Sequence, residues 1–176
     1  MKKFLATVAA TVAALAPMSV KADSFEEHEY LWNTLQRVGV TTRLNDKFHC
    51  DGSIHGAYLP YQRTLIVCKD YPGGQWTAND YDTLRHEAHH VVQDCNEGVL
   101  GDGELARLFG NDDELAEFIA RSGMSRKDVA ELAEDYYEDG ANNHVVMIEL
   151  ETFAVARAVD PRTIADKLVE FCSTRF

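Results

Sequence analysis

The clearest helical pattern in the chain covers residues 79–96, which read NDYDTLRHEAHHVVQDCN. The apolar side chains of this segment recur at helical spacing and share one stripe, which consists of Leu84, Ala88, Val91, Val92 and Cys95. Its polar side chains fall on the opposite side, namely Thr83, His86, Glu87, His90 and Asp94. Asn79 or Asp80 is placed to cap the first turn. We therefore predict a helix that packs through one face and opens the other face to a cleft.

The segments on either side of this helix differ in character. Three short stretches before it are β-branched or aromatic and are broken by turn residues, as strands are: residues 40–44, 56–59 and 64–68. Helical patterns with capping signals cover most of the rest: residues 24–38, 112–123, 143–159, a segment that begins after Ser125 and another that begins after Asp160. The predicted fold class is α+β, with a small antiparallel sheet packed beside a mainly helical body.

Residues 1–22 have the pattern of a secretory signal peptide. A positively charged start precedes an almost wholly apolar run over residues 4–16, and the small residues Val20 and Ala22 suit signal peptidase. The apolar run is shorter than the roughly 18–20 residues that span a bilayer. We therefore predict no stable membrane anchor, a secreted or periplasmic location, and one domain formed by residues 23–176.

The charge balance of the chain is strongly acidic. The formal net charge is −12, and signal-peptide cleavage would remove three lysines and no acidic residue. A nucleic-acid partner is not expected, because a surface of this sign repels the phosphate backbone. The acidic balance favours solubility, and it would also suit cationic substrates.

The chain contains four cysteines, Cys50, Cys68, Cys95 and Cys172. An even number in an exported chain predicts two disulfides. The wide spacing lacks a close C-x-x-C pair and so argues against a cysteine zinc site. Of the three possible pairings we predict Cys50 with Cys68 and Cys95 with Cys172, since these would join strand ends and clamp the last helix to the histidine-bearing helix.

The predicted histidine-bearing helix carries the motif H-E-x-x-H at residues 86–90. Positions i and i+4 are about 40° apart around a helix axis, so His86 and His90 project side by side and can hold one metal ion. Glu87 can then reach a water on that metal as the general base. Imidazole ligands suit zinc, which lowers the pKa of its bound water to about 7. His89 points about 100° away from His90 and is not expected to be a ligand.

Catalytic zinc commonly has three protein ligands, so a third ligand must come from another segment. The helical pattern of residues 143–159 offers two glutamates on nearly opposite sides, Glu149 and Glu151. Glu151 shares its side with the apolar residues Met147, Ile148, Ala154, Val155 and Ala158. A carboxylate on a buried stripe is costly unless it is paired or bound to a metal. We predict Glu151 as the third ligand; the alternative is a buried glutamate satisfied by hydrogen bonds.

The sequence HEAHH at residues 86–90, followed by ETFAV at residues 151–155, resembles the gluzincin metallopeptidases, particularly their small, minimal-domain members. The resemblance implies a zincin-like fold over about residues 54–158, one zinc ion held by the two motif histidines and the later glutamate, and a peptide or protein substrate. It also implies that an edge strand within residues 56–68 lines the bound peptide. Many gluzincins have an aspartate four residues after the glutamate ligand, where this chain has Val155.

Hydrolysis at a metal also needs a donor for the developing oxyanion. His144 lies seven residues before Glu151, hence two turns away on the same face of the predicted helix. We predict His144 as a catalytic donor, with Tyr136 and Tyr137 as alternative donors just upstream.

Taken together, these patterns predict an exported zinc-dependent metallopeptidase that uses one zinc ion and a metal-activated water. The first alternative is a non-catalytic exported binding protein in which a zinc ion is structural. A second alternative is a zinc-dependent hydrolase of a non-peptide amide, for instance in cell-wall material, because the activation of water would be the same.

Overall fold

The structure is a computed structural model that describes residues 25–52 and 54–172. The predicted signal peptide, residues 1–22, lies outside the described residues. The helices are α1 (Phe25–Arg37), α2 (Ala78–Glu97), α3 (Asp112–Arg121), α4 (Arg126–Glu138), α5 (Asn143–Ala158) and α6 (Pro161–Cys172). The strands are β1 (Thr41–Leu44), β2 (Gly56–Leu59) and β3 (Thr64–Val67). The α+β class predicted from the sequence is confirmed.

The ends of the helices follow local capping chemistry. Helix α2 begins after Thr77, whose hydroxyl accepts a hydrogen bond from the backbone N–H of Asp80 at 3.1 Å. The carboxylate of Asp80 accepts the backbone N–H of Thr77 at 2.8 Å in return, which completes a capping box. The predicted cap at Asn79 or Asp80 was therefore two or three residues late. Ser125 and Asp128 form the capping box expected at the start of α4.

Strand β3 is the centre of the three-stranded sheet, whose order is β1-β3-β2. Strands β2 and β3 are antiparallel, as predicted, but β1 runs parallel to β3. The prediction of a wholly antiparallel sheet was wrong for β1, because residue type reports burial and says little about strand direction. Strands β1 and β2 lie on opposite sides of β3, so the sheet has β3 between one parallel and one antiparallel neighbour.

Helix α2 lies at the centre of the molecule and packs against the sheet, α5 and α6. The apolar stripe predicted for α2 is buried in the main core cluster, which also contains residues of α1, β3 and α6. A second cluster joins α3, α4 and α5. The polar face of α2 is also largely buried, since Glu87 and His90 are only 7% and 6% exposed. Other elements of the fold therefore cover much of the polar face of α2 and bound the cleft beside it.

Both predicted disulfides are confirmed. Cys50 is bonded to Cys68, which ties the loop after β1 to the end of β3, and Cys95 is bonded to Cys172, which ties α2 to α6. Two such bonds fit a protein that resides in an oxidising environment. None of the helices formed within residues 25–52 and 54–172 combines the length and apolar character that a bilayer span requires.

Candidate metal centre

Three side chains converge where α2 meets α5. Atom Nε2 of His86 lies 3.2 Å from Nε2 of His90. The two carboxylate oxygens of Glu149 complete the group, with Oε2 at 3.4 Å from Nε2 of His86 and Oε1 at 3.5 Å from Nε2 of His90. Within the described part of the chain this is the group of histidine, cysteine and acidic side chains that could hold a metal ion.

The separations between these atoms fit a single small cation. Two ligand atoms about 2.0–2.2 Å from one ion, at a tetrahedral angle, lie about 3.3–3.6 Å apart. The three observed separations, 3.2, 3.4 and 3.5 Å, are close to that span. Two imidazole nitrogens facing a carboxylate would present lone pairs to one another unless a proton or a metal ion lies between them. Two histidines and one carboxylate also form a common ligand set of catalytic zinc.

The structure groups Glu149, and not the predicted third ligand Glu151, with His86 and His90. The Glu151 side chain is fully buried, and its Oε1 lies 2.9 Å from Nε2 of His89, the histidine that faces away from the triad. Both of its oxygens also accept the backbone N–H of Leu108 at 3.1 Å. Periodicity correctly identified Glu151 as the buried carboxylate, but hydrogen bonds satisfy it, as in the alternative stated above. Periodicity could not show that the Glu149 side of α5 also packs against α2.

The charges around the triad favour a bound cation. Burial alone would lower the pKa of His90, but its hydrogen bond with Glu149 and the charges of Glu149 and Glu87 raise that pKa to about 9. Burial opposes ionisation of Glu149, yet its hydrogen bonds with His86 and His90 hold the pKa of this carboxyl well below its usual range. Glu149 is therefore an anion directed at two imidazoles, and it attracts positive charge to this point.

Glu87 lies beside the triad on the wall of the cleft. Burial raises the pKa of its carboxyl, while the charges of His86 and His90 act in the opposite direction. The backbone N–H of Tyr58 in β2 donates a hydrogen bond to this carboxylate. A carboxylate with a raised pKa, fixed next to a metal site, has the properties required of a general base.

A cleft of about 610 Å³ opens beside His86 and Glu87. The start of β2, Tyr136 of α4 and Phe153 of α5 form further parts of its wall. A second cleft of about 450 Å³ includes Glu149 together with His144. The candidate metal ligands are thus reached from two clefts, of which the larger contains the candidate base.

On the side away from β3, strand β2 has no neighbouring strand among the described residues, and its first residue, Gly56, lines the larger cleft. The backbone N–H of Cys68 donates to the carbonyl oxygen of His55 at 2.7 Å, so residue 55 and every second residue after it are hydrogen-bonded to β3. Gly56 and Tyr58 therefore direct their backbone groups away from β3. Glu87 accepts one of these groups, the N–H of Tyr58.

Gly56 is the point of closest approach between β2 and α2. A Cβ atom at this position would lie 2.5 Å from Cγ2 of Thr83, 2.9 Å from the carbonyl oxygen of Ile66 and 3.1 Å from Cγ of Glu87. We expect Gly56→Ala to lower the free energy of unfolding by about 1–3 kcal/mol, because a backbone oxygen cannot yield without moving the strand. Urea unfolding measures this change.

The matched control for Gly56→Ala is Gly110→Ala. Gly110 is exposed, and the nearest atom to an added Cβ lies 3.6 Å away. We expect the control to change the free energy of unfolding by less than about 0.5 kcal/mol. Equal losses of stability in the two variants would contradict a requirement for glycine at position 56.

The three predicted oxyanion donors lie in different surroundings. The hydroxyl of Tyr136 donates to Oε2 of Glu149 at 2.9 Å and lies in the cleft with Glu87. Burial, followed by the charge of Glu149, raises the pKa of Tyr136, so its hydroxyl stays protonated. His144 is exposed, with Nε2 3.0 Å from the carbonyl oxygen of Leu105. Tyr137 is also exposed, and its hydroxyl donates to Asn143. Tyr136 is therefore the donor nearest to the candidate base, and the catalytic role of His144 stays a prediction.

Packing as well as hydrogen bonding orients the two candidate histidine ligands. The ring of His86 packs edge-on against Phe153, with 4.4 Å between the ring centroids. Its buried Nδ1 has no hydrogen-bond partner among the described residues. Nδ1 of His90, in contrast, lies 2.8 Å from Oε1 of Gln93. Sequence analysis did not predict this contact; the signal available for it is that Gln93 follows His90 by three residues and so lies on the same side of the helix.

Comparisons with known proteins identify no family for this chain. No family model, no curated protein and no solved structure matches it. The resemblance to gluzincins therefore rests on the motif and on a downstream glutamate. The chemistry of the site has to be argued from its own geometry and charges.

Proposed function

We propose that the protein is an exported zinc-dependent hydrolase that cleaves amide bonds in a peptide or protein substrate. The observation that carries this proposal is the convergence of His86, His90 and Glu149 beside the buried carboxylate of Glu87. Each group has the chemical type that zinc-assisted hydrolysis requires, and a cleft gives a substrate access to them.

The protein groups have separate roles in this proposal. His86, His90 and Glu149 would hold the ion, and bound zinc would supply a Lewis acid that lowers the pKa of a water to about 7. Glu87 would accept a proton from the attacking water and later give it to the leaving amine. The N–H of Tyr58 holds the Glu87 carboxylate in place during this exchange.

Tyr136 is the proposed donor to the developing oxyanion. Its hydroxyl is protonated and lies in the same cleft as Glu87, which His144 does not line. In the structure it donates to Glu149, so it has to turn from this carboxylate towards the substrate to act. His144, which the sequence analysis predicted for this role, stays the alternative donor.

An extended peptide is the proposed form of the substrate. Its backbone would pair with the free edge of β2, where Gly56 directs its N–H and carbonyl groups away from β3. This position agrees with the role that the gluzincin resemblance gives to residues 56–68. A cleft of about 610 Å³ is large enough for several side chains of such a peptide.

One position departs from the gluzincin pattern. With Glu149 as the third ligand, the residue four positions later is Phe153, where many gluzincins have an aspartate. Phe153 packs against the ring of His86. In this proposal an aromatic contact holds the first histidine in place of a carboxylate hydrogen bond.

Export is the remaining part of the proposal. The two disulfides fit an oxidising environment, and the pattern of residues 1–22 is that of a signal peptide. A secreted or periplasmic location accounts for both features. Detection of the protein in the culture medium or periplasm, with residues 1–22 removed, would test it.

Metal content and cleavage together test the proposed function. We expect one zinc per chain in the purified protein and chelator-sensitive cleavage of a peptide library. His86→Ala should weaken zinc binding by more than about 100-fold, since even the loss of a supporting group costs 10–100-fold. Metal analysis and a competition titration with a chelating dye measure this effect.

The control for this test is His49→Ala. His49 lies on the loop after β1, where it is hydrogen-bonded to Asp46, so zinc binding should be unchanged. Equal zinc content in the two variants would contradict the metal site. Zinc binding without cleavage, with a strong loss of thermal stability on chelation, would instead support the alternative of a structural zinc.

A further inference from the structure

Glu151 accepts hydrogen bonds from several directions in the protein interior. Its donors include Nε2 of His89 at 2.9 Å, Nε2 of Gln93 at 3.1 Å and the backbone N–H of Leu108 at 3.1 Å. Both oxygens of this carboxyl group accept the backbone N–H of Leu108, so the side of Glu151 that faces Gln93 acts as a hydrogen-bond acceptor.

This requirement decides how the amide of Gln93 is oriented. The nitrogen of that amide lies 3.1 Å from Oε1 of Glu151 and 3.3 Å from the carbonyl oxygen of Ile148. Both partners are acceptors, so rotating the amide by 180° would place oxygen against oxygen. Because Gln93 is fully buried, water cannot relieve that clash. Oε1 of Gln93 therefore points the other way, towards His90.

The orientation of Gln93 in turn decides which nitrogen of His90 carries a hydrogen. Oε1 of Gln93 accepts only, and it lies 2.8 Å from Nδ1 of His90. The hydroxyl of Thr152 also donates to this oxygen at 3.2 Å. Nδ1 of His90 consequently carries a hydrogen, so Nε2, which faces His86 and Glu149, is the nitrogen that would bind a metal ion.

We propose that Gln93 is a positioning residue of the metal centre: Glu151 orients its amide, and the amide holds His90 in the form that binds metal through Nε2. The inference rests on the proposed zinc site of His86, His90 and Glu149. It assigns Glu151 a supporting role two hydrogen bonds away from the ion. A neutral amide also provides the acceptor without adding a further negative charge beside Glu149 and Glu87.

A zinc titration of Gln93→Met tests this role. Methionine has a similar length and volume but no oxygen that can accept the Nδ1 hydrogen of His90. We expect one zinc per chain to be retained, with an affinity 10–100-fold lower than that of the wild-type protein. The control is Gln62→Met, at an exposed position, which should bind zinc as tightly as the wild type.

A second measurement separates positioning from a general loss of structure. In the zinc-loaded wild-type protein, nuclear magnetic resonance should show a slowly exchanging hydrogen on Nδ1 of His90, because that atom is buried and hydrogen-bonded. In Gln93→Met this signal should broaden or exchange rapidly. If Gln93→Met does not fold, the zinc-loaded wild-type protein provides the test, since absence of a slowly exchanging hydrogen on Nδ1 of His90 would overturn the role of Gln93.

The outcomes distinguish this inference from the proposed function. A wild-type protein that binds no zinc would refute the metal centre itself. Wild-type zinc affinity together with an unchanged Nδ1 signal in Gln93→Met, or absence of that signal in the zinc-loaded wild-type protein, would overturn the role of Gln93 and leave the metal centre intact. Weaker binding together with loss of the signal would support the inference.

Discussion

Replacing Glu87 with glutamine is expected to lower the rate of hydrolysis by about 10²–10⁴-fold while one zinc ion stays bound. Glutamine has the shape of glutamate and can still accept the backbone N–H of Tyr58, so the strand and the helix should keep their places. An amide cannot take a proton from a water at neutral pH, which removes the general base. Initial rates on a peptide substrate and the zinc content of the same sample measure the two effects.

The control for Glu87→Gln is Glu131→Gln, which removes an exposed carboxylate of α4 that pairs with Lys127. This change should leave both the rate and the zinc content as they are. In the wild type, kcat/KM should also fall on the acidic side as Glu87 takes up a proton, from a pKa that burial raises. Unchanged cleavage by Glu87→Gln would remove this residue from the mechanism.

Exchanging Glu149 and Glu151 for alanine, one at a time, is expected to separate a metal ligand from a structural carboxylate. Glu149→Ala should weaken zinc binding by more than about 100-fold. Glu151→Ala should lower the free energy of unfolding of the metal-free protein by about 3–5 kcal/mol, because it leaves buried hydrogen-bond donors without an acceptor. Those donors are His89, Gln93 and Leu108.

Two measurements on metal-free protein and one on metal binding distinguish these variants. Urea unfolding should show a larger loss for Glu151→Ala than for Glu149→Ala, because the Glu149 side chain keeps 15% of its surface exposed whereas Glu151 keeps none. Thermal unfolding should rank the variants in the same order, and a zinc titration should show the greater loss of affinity for Glu149→Ala. The reverse pattern, with zinc lost mainly in Glu151→Ala at unchanged stability, would restore Glu151 as the ligand.

Local sequence was sufficient for the secondary structure because its signals act over one or two turns. The apolar stripe of α2 is buried as its spacing predicts. The capping box at Ser125 marks the start of α4, as expected. Asp160 and Pro161 follow the end of α5, also as expected. The start of α2 was placed late because Asp80 can serve as an N-cap or as the partner of one, and only the backbone geometry at Thr77 distinguishes the two roles.

Part of the candidate site could also be predicted from the sequence. His86 and His90 are one helical turn apart, so the helix itself brings their rings together, and no distant contact is needed. Glu87 belongs to the same turn. The even number of cysteines predicted two disulfides, but the sequence left three pairings open, and the structure shows that the chosen one is correct.

The sequence by itself determined the helices, the strands and the pair of histidines, because these depend on residues that are neighbours along the chain. Only the tertiary structure decided the direction of β1, the choice of Glu149 over Glu151 and the position of Gln93. Glu149 and Glu151 lie on nearly opposite sides of α5, and both sides are covered by other elements. Periodicity reports how deeply each side of α5 is buried, whereas the neighbour that each side contacts depends on how α5 packs against α2 and α4.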